Sequence, residues 1–239
     1  MSFQKETILS VENVSLRYKG RTGIIKTFEH EALKEISFDL ARNEILGIVG
    51  RNGCGKSTLL RILAGLVKPT SGEIVCDSGI KRALLAVGAG FLRELSGRDN
   101  AILSVMLQGF SRAEALAELP DIKEFSELGK FFDQPVRTYS AGMRSRLGFS
   151  TAILTKVDVL LIDEVLSVGD ARFKKKAEEA LLERVSGKKT VVLVSHRSDQ
   201  VKTLCDRVVW LHDGVIEDQG ETDRVIERYL EFTKTLKRK

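Results

Sequence analysis

Gly50-Arg51-Asn52-Gly53-Cys54-Gly55-Lys56-Ser57-Thr58 follows directly on the apolar run Ile45-Leu46-Gly47-Ile48-Val49. The glycine-rich stretch matches the pattern G-x-x-x-x-G-K-[ST]. The run before it has the composition of a strand buried on both faces. From Lys56 onward, Leu59, Leu60, Ile62 and Leu63 share one side of a helix, which Gly65 stops. Strand, glycine-rich loop, helix is the setting in which such a loop cradles phosphate groups. Glycines let the backbone wrap so that successive N–H groups face one anion. Lys56 offers a point charge to the β- and γ-phosphates, and the Ser57 hydroxyl is a hard oxygen ligand for Mg²⁺. The helix N-terminus adds its dipole. Gly50, Asn52, Gly53, Cys54, Gly55, Lys56, Ser57 and Thr58 are therefore candidate nucleotide-binding residues, Cys54 through its backbone alone.

Two further apolar runs have the pattern of buried parallel strands. Residues 157–162 end in Asp163-Glu164, and residues 190–194 end in Ser195-His196. In open α/β sheets, sites form beyond the carboxyl ends of strands. Three runs that end in polar groups predict one site at one sheet edge. Asp163 suits Mg²⁺ ligation, usually through water. Glu164 is placed to polarise an attacking water. His196 is a candidate hydrogen-bond partner of a γ-phosphate, although a lone histidine after a strand also serves structure alone. His30 and His212 have no such setting and read as surface residues.

Elsewhere the pattern changes. Residues 8–18 and 36–40 alternate apolar and polar, which predicts antiparallel strands with one solvated face. Residues 99–135 read as helical, an insertion between strands. Asp99 or Asn100 is expected to cap its first helix, Ser111-x-x-Glu114 forms a capping box, and Pro120 is expected to close that helix. Asp213-Gly214 is a hairpin signal between 208–211 and 215–217. A last helix turns Val225, Ile226, Tyr229, Leu230 and Phe232 inward. The expected fold is α/β: a phosphate-loop core with a mixed sheet, an N-terminal antiparallel β-subdomain and an inserted α-helical subdomain. One domain over 1–239, with the insertion near 92–155, fits this length.

Composition narrows the class. Apolar residues make up 43% and charged residues 30% of 239, ordinary for a globular protein. No run approaches the ~18 apolar residues of a membrane span. The stretch MSFQKETILS lacks the apolar core of a secretion signal, so a cytosolic chain is expected, reaching a membrane only through a partner. Three scattered cysteines form neither a disulfide framework nor a zinc pattern. The net charge is +5, and Lys234, Lys237, Arg238 and Lys239 form a basic tail. Such a tail reads as a solvated helix end, or as a contact for anionic lipid or a partner. Aromatics do not interleave with the basic residues, so no nucleic-acid partner is expected.

Tyr139-Ser140-Ala141-Gly142-Met143 precedes a helix for which Ser140 is a natural N-cap. On its residues alone this is a capped helix. The order of phosphate loop, helical insertion, serine-glycine signature, acid-ended strand and histidine-ended strand resembles the ATP-binding cassette family over nearly the whole chain. That resemblance implies an ATPase with ATP and Mg²⁺ as cofactors. It implies a homodimer that sandwiches each nucleotide between one subunit's phosphate loop and Ser140 and Gly142 of the other. It implies integral membrane permease subunits as partners, and a peripheral place on the cytoplasmic face of the inner (plasma) membrane. Tyr18 stands where the family stacks an aromatic on adenine; an ordinary strand tyrosine is the other reading.

Three departures from the family pattern define a branch. Ala141 and Met143 replace the commoner glycine and glutamine. Val87-Gly88-Ala89-Gly90-Phe91 stands where a glutamine is usual. Ser167-Val168-Gly169-Asp170 occupies the dimer-contact loop, where Asp170 is also expected to cap a helix through Phe173, Ala177 and Leu181. Together with Glu94-Leu95-Ser96-Gly97-Arg98, these residues resemble ATPases of exporters for lipid-linked polysaccharides such as O-antigen, capsule or teichoic acid. Because the sequence stops near Lys239, it is not expected to read the glycan itself. The alternatives are the ATPase of another transporter (a drug or lipid exporter, or an importer), or a cassette protein acting on nucleic acid or ribosomes.

Overall fold

A computed structural model describes residues 6–22, 26–85, 90–163, 170–186 and 190–236, without the side chains of 21, 22, 26–28, 185 and 186. In chain order the elements are β1 (Thr7–Thr22), β2 (Lys26–Ala41), β3 (Ile45–Val49), α1 (Lys56–Leu63), β4 (Ser71–Cys76), β5 (Arg82–Leu85), α2 (Gly97–Leu107), α3 (Arg112–Ser126), α4 (Ala141–Leu154), β6 (Val159–Asp163), α5 (Ala171–Ser186), β7 (Thr190–Val194), α6 (Ser198–Leu204), β8 (Arg207–His212), β9 (Val215–Glu221) and α7 (Thr222–Leu236). The chain divides into two compact units.

The first unit comprises Met1–Ile80 with Lys188–Lys239. Its centre is β3, which pairs in parallel with β7 on one side and β8 on the other, Ile48 standing opposite Val194 and Val209. Leu46, Ile48 and Val49 are buried, as are all residues of β7. A strand covered on both faces requires such a run, and each Leu, Ile or Val so buried contributes about 1.5–3 kcal/mol. β9 closes the edge antiparallel to β8 through the Asp213-Gly214 turn, whose residues have φ of 45° and 82°. Both values match the asparagine- or aspartate-glycine turn the sequence signals. β1 pairs antiparallel with β2 and with β4 in a second sheet of order β2-β1-β4. Buried Ile36, Phe38 and Leu40 alternate along β2 with exposed Ser37 and Asp39.

The second unit runs Lys81–Gly187. β5 and β6 pair in parallel, Arg82 opposite Val159. Ala101 and Val105 of α2, Ala115, Leu119 and Ile122 of α3, and Leu147 of α4 form a core with Phe132, Val136 and Tyr139 of the connector 127–140. Phe125, Phe149 and Phe173 join α3, α4 and α5 with ring centroids 5.9–6.2 Å apart. Asp170 caps α5 by accepting a hydrogen bond from the Phe173 N–H at 3.0 Å.

Two helix expectations are corrected here. Ser96, not Asp99 or Asn100, caps α2, its hydroxyl accepting from the Asp99 N–H at 3.0 Å. Asn100 is buried, and its amide donates to the carbonyls of Leu92, Leu95 and Ser96. Pro120 does not close α3 but lies inside it, and the helix runs on to Ser126. Pro120 is exposed, so solvent can satisfy the carbonyl that loses its N–H partner. The Ser111–Glu114 capping box forms in both directions.

Candidate functional site

The loop after β3 is shaped by backbone that only glycine tolerates. Gly50, Gly53 and Gly55 have φ of 152°, 81° and 108°. A Cβ on Gly55 would lie 2.6 Å from the Ala32 carbonyl oxygen, and one on Gly50 would lie 2.7 Å from the Cys54 sulfur. Lys56 opens α1 and is buried, its ammonium donating to the carbonyls of Gly50 at 2.8 Å and Arg51 at 2.9 Å. α1 has no side-chain cap and no acid in its first turn. Its leading N–H groups are therefore left for an anion, with the dipole in favour. Ser57 is exposed and Thr58 half-buried; Asn52 and Gly53 form the exposed tip. Cys54 is buried, and burial holds its thiol above the ordinary range, partly offset by Lys56. It is a packing residue rather than a nucleophile.

Register places His196 beside this loop. Ile48 and Val194 are opposite partners in β3 and β7, so Gly50 and His196 follow at the same edge of the same unit. His196 is exposed, whereas Ser195 is buried and its hydroxyl donates to Gln200 at 3.0 Å and accepts from the Arg197 N–H at 3.1 Å. That pairing fixes the turn that presents His196. His212, expected at the surface, is instead half-buried. Its ring packs edge-on to Phe232 at 4.9 Å, with Asp213 at 3.5 Å from its Nε2.

In the second unit, Asp163 ends β6 and is half-buried. Glu164 lies outside the described residues, as do 167–169 of the expected dimer-contact loop and 87–89 of the segment that stands where a glutamine is usual. Ser140 is exposed and caps α4, accepting from the Met143 N–H at 3.1 Å, with Gly142 half-buried in the first turn. Tyr18 is 39% exposed on β1, opposite His30 of β2. Its ring is available for stacking.

Backbone partners escaped the sequence reading. The Leu211 carbonyl oxygen backs Gly50, and the Phe131 carbonyl receives the buried Tyr139 hydroxyl at 2.6 Å. No side-chain pattern announces a carbonyl. Among the described residues no three His, Cys, Asp or Glu side chains cluster to hold a metal. Mg²⁺ needs no such cage, because it is held by one or two protein oxygens plus substrate phosphates. Ser57 carries a hydroxyl and Asp163 a carboxylate, each a hard oxygen donor of that kind.

Comparison with known proteins finds a matching family, relatives and solved structures of like fold. Residues 33–167 match the family described as ABC transporter. The teichoic acids export ATP-binding protein TagH of Listeria innocua is 42% identical over 203 residues, covering 85% of this chain and 60% of that protein. The O-antigen export system ATP-binding protein RfbB of Klebsiella pneumoniae is 41% identical over 206 residues, covering 86% of this chain and 83% of that protein. Four TagH relatives are spanned over 44% to 60% of their length. A solved ATP-binding subunit of an ABC transporter matches with a TM-score of 0.72 at 25% identity, over 93% of both chains.

Proposed function

Because the chain belongs to the ABC transporter family, we propose that it binds Mg-ATP at 50–58 and hydrolyses it to drive a membrane exporter. The observation that carries this reading is the loop itself. Glycines in left-handed backbone, the Lys56 ammonium held by loop carbonyls and an uncapped α1 together make an anion cradle. Domain extent follows the same reading: 1–239 is one ATPase domain with the helical insertion near 92–155.

In this mechanism the loop amides orient the phosphates and Lys56 offsets charge that develops on the γ-phosphoryl oxygens. Ser57 and Asp163 would hold Mg²⁺, which would neutralise phosphate charge. Glu164 aligns water for in-line attack and takes up its proton. His196, exposed at the loop's edge, donates to the γ-phosphate. Tyr18 stacks on the base. Ser140 and Gly142 of a second copy complete the site in a nucleotide-sandwich homodimer, and ATP binding closes it. The partner is an integral membrane permease, and the chain works peripherally on the cytoplasmic face of the inner (plasma) membrane. Among the described residues no helix is long and apolar enough to cross a membrane. A lipid-linked polysaccharide is the cargo, a reading supported by the teichoic acid and O-antigen export named for the TagH and RfbB relatives.

Calorimetry with Mg-ATP tests the premise. The parent chain should bind and release phosphate, and Lys56→Ala should weaken binding by about 100-fold or more, the loss of a charge-assisted contact set. Equal affinity in both would end the loop assignment. Capture from membranes should bring down an integral membrane protein; RNA or DNA in its place would oppose the exporter reading.

A further inference from the structure

The connector ahead of α4 is laced to the segment before α2. The Val136 N–H donates to the Leu95 carbonyl at 2.9 Å, the Arg137 N–H to the Arg93 carbonyl at 2.8 Å, and the Gly97 N–H to the Gln134 carbonyl at 3.2 Å. Tyr139 ends this lacing. Its side chain is buried, and its hydroxyl donates to the Phe131 carbonyl at 2.6 Å. The hydroxyl also occupies the space that a Cβ on Gly97 would take, so residue 97 is glycine to admit the ring. Burial, with the charge of Asp133, pushes the phenol up to about 12, so it stays a donor at neutral pH. At the other end of the same residue, the Arg144 guanidinium donates to the Tyr139 carbonyl at 2.6 Å. Arg144 also borders a cavity of about 370 Å³ lined by Gly90, Phe91, Arg93 and Val136. A shorter side chain at 144 therefore opens onto free space and creates no clash.

Ser140 comes next. Its oxygen already accepts the Met143 N–H, which leaves its O–H free to donate. We propose that Tyr139 and Arg144 are positioning residues that clamp the peptide ahead of Ser140 by its side chain and by its carbonyl. The clamp aims the Ser140 hydroxyl at the triphosphate bound by the partner subunit. The inference rests on the nucleotide-sandwich reading above. Its chemistry is that of preorganised donors: the groups that meet the anion must already point at it, and a misplacement of about 1 Å costs up to about 100-fold in rate.

Steady-state hydrolysis by Arg144→Met, Arg144→Lys, Tyr139→Phe and Ser140→Ala, singly and in pairs, tests the clamp. Arg144→Met and Tyr139→Phe should each lower kcat about ten-fold. Mg-ADP affinity at the phosphate loop should stay within about two-fold of the parent value, a split that separates aim from binding. Arg144→Lys, which keeps a donor, should recover part of the loss. In a Ser140→Ala background neither change should cost more, since the group being aimed is gone. Losses that multiply in that background, or kcat unchanged by both single variants, would overturn the proposal. Parent-level hydrolysis by Ser140→Ala would overturn it too while leaving the phosphate loop standing. A parent chain that neither binds nor hydrolyses Mg-ATP would remove the family mechanism and the clamp together.

Discussion

The carbonyl oxygen of Leu211, in β8, fills the space that a Cβ on Gly50 would need. The loop is thus seated against the neighbouring strand through backbone alone. Gly50→Ala should cost ~3 kcal/mol, the sum of left-handed strain and overpacking. Gly53→Ala is the control, since φ there is 81° but nothing lies within 4 Å of a Cβ; it should cost about 1 kcal/mol. Urea denaturation reads both, and equal losses would refute the seating argument.

Glu164→Gln should bind Mg-ATP with the parent's affinity, hydrolyse it at least ~100-fold more slowly and accumulate as a dimer with ATP, as expected when a positioned base is neutralised. Phosphate release and size-exclusion chromatography read the two effects. Turnover at the parent rate would mean that another group aligns the water.

Acid should loosen α3 through Glu114. The Ser111 backbone N–H, then the Ser111 hydroxyl and Lys81, pull its carboxyl down to about 2. A carboxyl depressed in the fold stabilises fully above its unfolded value of about 4.3 and stops doing so as pH falls through about 2. Glu114→Gln removes the titration. The stability gap between parent and variant should hold steady above pH ~5 and shrink between about pH 4 and 2. Urea midpoints across that range check it; a gap unchanged at pH ~2 would contradict the assignment.

Pro120→Ala should stabilise the second unit by ~2 kcal/mol, because it restores an N–H inside α3 at an exposed position. Thermal unfolding followed by circular dichroism gives the sign. A lower midpoint would mean that the proline's stiffening of the unfolded chain dominates.

Local chemistry was legible where a residue acts on its neighbours. The loop 50–58, the buried strands β3 and β7, the Asp213-Gly214 hairpin, the Ser111–Glu114 box and the Ser140 cap are all short-range patterns. What stayed hidden depends on distant partners. Asn100 has the composition of a cap, yet its amide is recruited by three carbonyls of the 92–96 turn, and the cap passes to Ser96. His212 has a polar name, yet Phe232 from α7 covers its ring. Pro120 looks like a stop, but burial of Leu119 and Ile122 carries α3 past it.

Trp210 is the chain's single tryptophan. It stands opposite Val49, the last residue before the phosphate loop, and its ring lies 5.2 Å from Phe232 and 5.7 Å from Tyr229 on α7. The indole is therefore a built-in fluorophore, shielded on one flank by the terminal helix and wired on the other to the strand that ends in the loop. Emission from unlabelled protein should redden when α7 undocks and report, without any dye, whether loading the loop tightens or loosens that helix.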